Sequence, residues 1–306
     1  MAPEEATLLT VDNACKKFGL LAALQGLNVE IRSAEMLGLF GPNGAGKTTL
    51  IRALAGQLSL DQGTIQWGMP EGRIRLGVVP QSLAIYEDLS AEQNLKIFGR
   101  LHGVKAKTLR QQIQRALEWS NLEARRRDRA GTFSGGMKRR LNIACAVLHE
   151  PRVLLLDEPT VGVDPQSRER IYRMLEELKS QEVGILLTTH HLEEAQYRCD
   201  RIAVMDQGQI VETGTLPELI DATVGNRQRL TIKLSTPLET WSDAPEILEY
   251  DDESRTATAW LDDTGSQLTD VLQQLQRRGA GIDRVTLQAP NLHQVFLQLT
   301  GKELRE

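Results

Sequence analysis

The amino-acid sequence predicts an α/β fold: a parallel sheet with an inserted helical segment, followed by a small α/β unit at the C-terminus. Three observations support this prediction. Short apolar runs alternate with helical patterns, a glycine-rich turn separates one such run from a helix, and an almost wholly helical stretch interrupts the alternation. With 306 residues, the chain is long enough for two domains.

The first predicted elements lead into the glycine-rich turn. Apolar runs at 8–11, 27–31 and 36–40 have the length and composition of strands. After the turn, apolar residues recur at helical spacing, at Leu50, Ile51, Leu54 and Leu58. The sequence therefore predicts the order strand, loop and helix at this point.

Residues from about 85 to 149 are predicted to form a helical subdomain. Ser90 and Gln93 have the spacing of a capping box at a helix start. Three helical patterns follow within the segment, and each has one apolar face. We interpret the segment as an insertion into the α/β domain.

Strand patterns return after the insertion. Apolar runs at 153–156 and 184–189 enclose a helical pattern over 168–179, and the runs 203–205 and 209–211 flank Gly208 as a closing hairpin. Strands that alternate with helices predict a parallel sheet.

The pattern changes after residue 226. Strand patterns at 229–234, 256–261 and 285–287 and two helical patterns follow in the order β-β-α-β-α. We predict a first domain over 1–226 and a small accessory domain over 227–306.

Composition and charge argue against several classes of protein. A net charge of -5 is unfavourable for a protein built to coat nucleic acid, and the three cysteines lack the spacing of a disulfide framework or a zinc site. The apolar run 18–24 is too short to cross a bilayer. Glu4 and Glu5 do not suit a secretory signal. We expect a cytosolic chain whose membrane role, if it has one, requires a partner.

The glycine-rich turn has the full spacing of a phosphate-binding P-loop between a strand and a helix. Its backbone amides and the helix N-terminus suit phosphate, its lysine supplies positive charge, and its threonine hydroxyl suits Mg²⁺. The predicted ATP-binding residues here are Gly41, Pro42, Asn43, Gly44, Ala45, Gly46, Lys47, Thr48 and Thr49.

Two further motifs carry candidate chemistry. The apolar strand 153–156 ends in Asp157 and Glu158, which predicts one carboxylate for Mg²⁺ and one for the attacking water. Ser134, Gly135 and Gly136 begin a predicted helix, where backbone amides could meet an anion. Alone, this Ser-Gly-Gly string is more often a plain turn.

With these motifs in this order, residues 7–222 resemble the nucleotide-binding domain of ABC transporters. The family signature commonly begins with Leu and ends with Gln, whereas this chain has Phe133 and Met137 and keeps the serine and glycines. Met followed by Lys-Arg-Arg is similar to the ABC-2, drug-exporting branch. Residues 290–306 are similar to the tails of daunorubicin-resistance ATPases.

The resemblance implies further site residues. Gln81 corresponds to the Q-loop glutamine, Asp164 to the D-loop aspartate and His190 to the switch histidine at the γ-phosphate. Phe18 stands where the family stacks an aromatic ring, commonly Tyr, on adenine. The implied catalytic residues are Lys47, Gln81, Glu158 and His190, and the implied Mg²⁺ ligands are Thr48, Gln81 and Asp157. Each of the added residues, taken alone, could be structural.

The resemblance also implies function. ATP would join two subunits, with the P-loop of one facing the signature of the other, and hydrolysis would drive export through a separate ABC-2 permease from the cytoplasmic face of the membrane. A soluble ABC ATPase acting on ribosomes or DNA, and a regulatory ATPase without transport, are the alternatives. The cargo, the permease, the choice between homodimer and heterodimer, and the role of the C-terminal unit stay open.

One basic run has no assigned role. Arg125, Arg126, Arg127 and Arg129 precede the signature. A solvated face is the first interpretation, and an acidic partner surface or lipid headgroups is the second.

Overall fold

The computed structural model describes residues 6–68, 76–225, 227–235, 248–251, 253–262, 264–277 and 280–301. Glu4, Glu5 and the last five residues of the tail, which the sequence analysis used, lie outside this range. The described residues form two compact units that divide between Thr215 and Leu216.

The first unit contains a three-stranded antiparallel sheet of order β2-β1-β4. Its strands are β1 (Thr7–Phe18), β2 (Leu21–Arg32) and β4 (Gln62–Trp67), and β3 (Met36–Phe40) belongs to the next sheet. Strands β1 and β2 extend beyond the predicted apolar runs because one face of this sheet is solvated and tolerates polar residues such as Asp12 and Lys17. Strand β4 has only exposed and half-buried residues, and the sequence analysis did not predict it.

A six-stranded sheet forms the centre of the same unit, in the order β5-β6-β7-β3-β8-β9. Its remaining strands are β5 (Leu76–Val79), β6 (Val153–Asp157), β7 (Gly184–Thr189), β8 (Arg201–Asp206) and β9 (Gln209–Gly214). All neighbours are parallel except β8 and β9, which form the predicted hairpin. Every residue of β3, β6 and β7 is buried, as expected for a sheet covered on both faces.

Helices α1 (Lys47–Leu54), α5 (Pro165–Lys179) and α6 (Leu192–Arg198) follow β3, β6 and β7 along the chain. Helix α1 ends before Leu58, which the predicted pattern included. Helix α5 begins three residues earlier than predicted because Asp164 caps it and Pro165 suits the first helical position. The parallel α/β arrangement predicted from the sequence is confirmed.

The inserted segment contains helices α2 (Ala91–Leu101), α3 (Ala106–Trp119) and α4 (Gly135–Val147). The predicted capping box is present, since Gln93 N donates to Ser90 Oγ and Ser90 N donates to the Gln93 side chain. Apolar residues from all three helices, including Leu95, Ile113 and Leu141, pack into one core.

The second unit contains a four-stranded antiparallel sheet of order β11-β12-β10-β13. Its elements are α7 (Leu216–Thr223), β10 (Gln228–Leu234), β11 (Glu249–Asp251), β12 (Thr256–Leu261), α8 (Thr264–Arg277), β13 (Ile282–Gln288) and α9 (Leu292–Thr300). The predicted order omitted α7 and β11. Helix α7 packs against α9, and the two compact units divide before α7.

Candidate nucleotide site

The glycine-rich loop joins β3 to α1 and is held close to neighbouring backbone. A Cβ on Gly41 would lie 2.1 Å from Met205 O, and one on Gly46 would lie 2.4 Å from Ala23 O. Gly46 also has a φ of 108°, which L side chains rarely adopt. Glycine is therefore required at both positions for this loop conformation.

Lys47 lies at the first position of α1, and its side chain folds back over the loop. Its Nζ donates to Gly41 O at 2.7 Å and to Pro42 O at 3.0 Å. Burial lowers the pKa of Lys47, while the charges of Glu158 and Asp157 act in the opposite direction. No side chain caps the N-terminus of α1, so its first backbone amides can donate hydrogen bonds to a phosphate group.

Asp157 ends strand β6 and Glu158 follows it directly, and Thr188 of β7 connects the two residues. Thr188 Oγ1 donates to Asp157 Oδ1 at 2.7 Å and accepts from Glu158 N at 3.0 Å. Glu158 has a φ of 48°, a left-handed conformation that is costly for a residue other than glycine. The chain leaves the extended conformation at this residue, and its neighbours fix the Glu158 backbone.

The Glu158 carboxylate brings the predicted catalytic residues together. Gln81 Nε2 donates to Glu158 Oε2 at 2.9 Å, and His190 Nδ1 lies 3.0 Å from Glu158 Oε1. Lys47 Nζ lies 4.0 Å from the same Oε1. All four side chains converge, although Gln81 and Glu158 are 77 positions apart.

Three of these four residues, Lys47, Gln81 and Glu158, border a groove of about 600 Å³. Predicted site residues that line it are Phe18, Asn43, Gly44, Gly46, Lys47, Thr48, Thr49, Gln81 and Glu158. Phe18 is 46% exposed, so it is not the core phenylalanine that the sequence left possible. Lys16 Nζ lies 5.8 Å from its ring centroid, and one face of the ring is therefore next to a cation.

The predicted signature lies apart from this groove. Ser134 caps α4 by accepting from Met137 N at 3.3 Å, and both Ser134 and Gly135 are exposed. Gly136 is buried against α5, where an added Cβ would meet Ser167 Oγ at 2.2 Å. Among the described residues, those lining the groove include neither Ser134 nor the two glycines. The structure places the signature next to Asp164 rather than next to the P-loop.

Asp164, the predicted D-loop aspartate, caps helix α5. Its Oδ1 accepts from Ser167 N at 2.9 Å. Hydrogen bonds from Ser167 lower the pKa of the Asp164 carboxyl, which keeps it charged at neutral pH. This exposed carboxylate and the start of α4 share one edge of the unit, since a Cβ on Gly136 would lie 3.3 Å from Asp164 Oδ2.

The sequence analysis missed Arg139 as a site residue. Arg139 lies on α4, five residues after Ser134, and is 5% exposed. Its Nη1 donates to Pro80 O at 3.0 Å and its Nη2 to Gln81 O at 2.7 Å. The helix that carries the signature therefore holds the backbone of the residue that contacts Glu158. An arginine on the inner face of a helix is the signal that could have identified it.

A second missed group lies behind His190. Glu194 of α6 is buried and accepts from Thr160 Oγ1 at 2.6 Å and from Thr189 Oγ1 at 2.8 Å. This carboxylate joins the segment after Glu158 to the end of β7, which immediately precedes His190. Its role is structural support, and only the tertiary contacts reveal it.

A glycine-rich loop at a helix start, two acids at the end of a neighbouring strand and a shared groove define a nucleotide-binding α/β protein of the P-loop class. Comparison with known proteins agrees. Residues 24–161 match the family described as ABC transporter. The Daunorubicin resistance ATP-binding protein DrrA3 of Streptomyces coeruleorubidus is 37% identical over 98% of this chain and 98% of its own length.

A second relative and a solved structure also match this chain over most of their own length. The Nod factor export ATP-binding protein I of Ralstonia nicotianae is 35% identical over 98% of this chain and 95% of its own length. A solved ATP-binding subunit of an ABC transporter is 30% identical, with a TM-score of 0.64 over 71% of this chain and 93% of that one.

The chain therefore belongs to the ATP-binding proteins of ABC transporters, and it is an ATPase subunit. None of the helices in the described part of the chain is long and apolar enough to cross a membrane.

Proposed function

We propose that the chain binds ATP between its own P-loop and the signature of a second ATPase subunit, and that closing and opening of this pair drives export through a separate ABC-2 permease. One observation carries the proposal: Ser134 and Gly135 are exposed at a helix N-terminus that lies outside the chain's own nucleotide groove. Exposed helix amides suit an anion, and the γ-phosphate held by a partner chain supplies one.

Within one subunit, the roles follow from the contacts. Lys47 and the amides of the loop and of α1 hold the phosphates, and Phe18 stacks on the base. Glu158 orients and polarises the attacking water. Gln81 and His190 position the two oxygens of the Glu158 carboxylate. Lys47 lies close enough to Glu158 to neutralise part of the carboxylate charge, and a bound phosphate would replace the loop carbonyls as the partner of Lys47.

The residues beside the phosphate site also fit Mg²⁺. The Thr48 hydroxyl, the Asp157 carboxylate and the Gln81 amide offer oxygen ligands, which Mg²⁺ prefers, and two of these three residues border the groove. When bound, the ion supplies charge neutralisation at the phosphates. Asp157 is 3% exposed and already held by Thr188, so its carboxylate is oriented before any cation binds.

Export is supported by the names of two relatives, a daunorubicin resistance ATP-binding protein and a Nod factor export ATP-binding protein. Through the permease, the chain would lie peripherally on the cytoplasmic face of the membrane. We propose that residues 1–226 act as the nucleotide-binding domain and 227–306 as an accessory domain. Stimulation of ATP hydrolysis by a co-reconstituted permease would separate this function from a regulatory ATPase. Unchanged hydrolysis in that preparation would favour the regulatory alternative.

A mixing experiment tests the shared site. The Lys47→Ala chain lacks a working P-loop but keeps its signature, and the Gly135→Asp chain keeps its P-loop but places a carboxylate at the helix N-terminus, where it repels phosphate. Each chain alone is expected to be inactive. Mixed in equal amounts, they should recover up to about a quarter of wild-type hydrolysis, because random pairing gives mixed dimers with one intact site.

Two controls define the result. Co-purification of two differently tagged wild-type chains after mixing measures how freely subunits exchange, and circular dichroism of each variant checks its folding. Activity of the Gly135→Asp chain alone, or failure of the mixture to recover any activity when subunits do exchange, would contradict a site shared between two chains.

A further inference from the structure

The segment from 93 to 117 has an unusual charge composition. It contains six Lys and Arg residues and no Asp or Glu, in a chain whose net charge is -5. The cations are Lys96, Arg100, Lys105, Lys107, Arg110 and Arg115. We call these six side chains the α2–α3 basic surface. Such a local excess of positive charge opposes the charge of the whole chain and requires an explanation.

The structure exposes all six side chains on α2, α3 and the turn between them. In the described part of the chain none of the six forms an ion pair, whereas nearby cations do: Arg126 pairs with Glu92 at 2.7 Å and Lys138 with Glu87 at 2.8 Å. The basic surface is therefore not neutralised by the fold. It is separate from the nucleotide groove, which none of the six residues lines.

A large apolar side chain lies beside these cations. Leu101 ends helix α2 next to Arg100 and is 70% exposed, more than any other leucine of the described helices. Half-buried Val104 follows in the turn, where it helps line a groove with Lys96, Arg100 and Arg110. Cations that surround an exposed apolar residue resemble the composition of peptides that bind at a lipid–water interface.

We propose that the α2–α3 basic surface binds the anionic headgroups of a lipid bilayer, with Leu101 in contact with the interface. The six cations are spread over two helices and a turn, and no hydrogen bond to another described residue fixes their long side chains in place. This arrangement suits the diffuse field of a charged membrane better than an acidic peptide, which requires donors in fixed positions. The proposal extends the peripheral location proposed above but requires neither the permease nor the ATP-dependent dimer.

The test is flotation of the purified full-length chain with vesicles of phosphatidylcholine, with and without phosphatidylglycerol, in the absence of nucleotide. The wild-type chain should float with the anionic vesicles only, and added salt should weaken the binding. Each basic residue near an anionic surface contributes about fivefold to partitioning. The variant Lys96→Gln/Arg100→Gln/Lys105→Gln/Arg110→Gln should therefore bind several hundredfold less.

A matched control changes the charge by the same amount elsewhere. Arg52, Lys233, Arg277 and Arg284 are also exposed. If the position of the cations rather than the total charge determines binding, their combined replacement by Gln should leave flotation within about twofold of wild type. Leu101→Ser should lower binding by about threefold to tenfold through loss of apolar burial. Basal ATP hydrolysis of all three variants should equal that of the wild type.

Equal flotation with neutral and anionic vesicles, or equal losses in the two four-residue variants, would overturn the proposal. Absence of vesicle binding together with loss of a reconstituted permease from the first variant would also overturn it, and would assign the surface to an acidic protein partner. The flotation vesicles contain neither permease nor nucleotide, so the flotation outcomes leave the proposed ATPase function untouched.

Discussion

The two halves of the candidate ATP site differ in how much of their structure one chain supplies. Around Glu158, side chains from the P-loop, the Q-loop and the end of β7 already meet, with donor atoms 2.9 to 4.0 Å from the carboxylate. At the signature, the exposed residues Ser134 and Gly135 present a helix N-terminus outside that groove.

This difference indicates where regulation can act. The proposed hydrolytic residues already meet within one chain, and under the proposed function the remaining requirement is a second helix N-terminus at the γ-phosphate. Arg139 joins the two halves within one chain, since it lies on the signature helix and holds the Q-loop backbone. Movement of α4 when a partner binds would therefore reach Gln81 and Glu158.

The largest expected effect is on ATP hydrolysis and comes from a change at Glu158, in the half of the site that one chain supplies. Glu158→Gln removes the charge that polarises water but keeps the size of the side chain, so hydrolysis should fall by about a hundredfold to ten-thousandfold. ATP binding should persist because the P-loop is unchanged. Phosphate release and nucleotide-binding assays measure the two effects.

Glu193→Gln provides the control for that variant, because Glu193 is an exposed glutamate on α6 outside the groove. Its hydrolysis should match that of the wild type. A Glu158→Gln chain that turns over ATP at the wild-type rate would remove Glu158 from its proposed role.

The signature glycines should differ from each other in stability. Ala at Gly136 would place Cβ 2.3 Å from Ser167 Cβ, so α4 and α5 must separate, which costs about 1–3 kcal/mol of unfolding free energy. Ala at Gly135 has its nearest neighbour at 3.8 Å and should leave stability unchanged or slightly higher. Urea unfolding of both variants measures the difference, and equal stabilities would contradict the packing described for α4.

The contact of Arg139 with the Q-loop should affect the rate of ATP hydrolysis more than the binding of ATP. Arg139→Met removes two charged hydrogen bonds to Q-loop carbonyls, and kcat should fall by about tenfold with little change in KM for ATP. Arg139→Lys should recover part of the loss because an ammonium group can still donate to one carbonyl. Steady-state kinetics measures both constants.

The neighbouring Arg140 is the control for that link, since it donates to Ser120 O and Asn121 O away from the site. Arg140→Met should lower stability without the selective loss of kcat. A rise in KM with constant kcat for Arg139→Met would mean that Arg139 supports nucleotide binding rather than the position of Gln81.

The smallest expected effect is at the helix cap. Ser134→Ala removes the side-chain acceptor of Met137 N and should cost about 1 kcal/mol of unfolding free energy. Ser134→Asn, which can also cap a helix, should restore the stability. Thermal unfolding measures the change, and a loss that Asn does not reverse would point to packing rather than capping.

Much of the fold could be predicted because its signals are local. The buried strands β3, β6 and β7 are apolar throughout, and the capping box at Ser90 is fixed by spacing alone. Strand β4 escaped prediction because only its Ile65 and Trp67 form an apolar alternation and none of its residues is fully buried. Strand β5 and helix α6 escaped prediction because they are short. Their structure depends on the neighbours they pair or pack with.

The candidate site shows the same limit. The P-loop and the two acids are continuous motifs, and sequence patterns identify them. The contacts of Arg139 with the Q-loop join residues 58 positions apart, and those of Glu194 join three separate segments. Such contacts depend on the tertiary structure, and one sequence contains no spacing that predicts them.

The most direct test of the central claim is the mass of the Glu158→Gln chain in solution, measured by light scattering with and without Mg²⁺ and ATP. A site shared by two chains predicts a mass of 34.1 kDa without ATP and twice that mass when slow hydrolysis keeps ATP bound. A chain that binds ATP but stays at the monomer mass would contradict the claim that two copies complete the site.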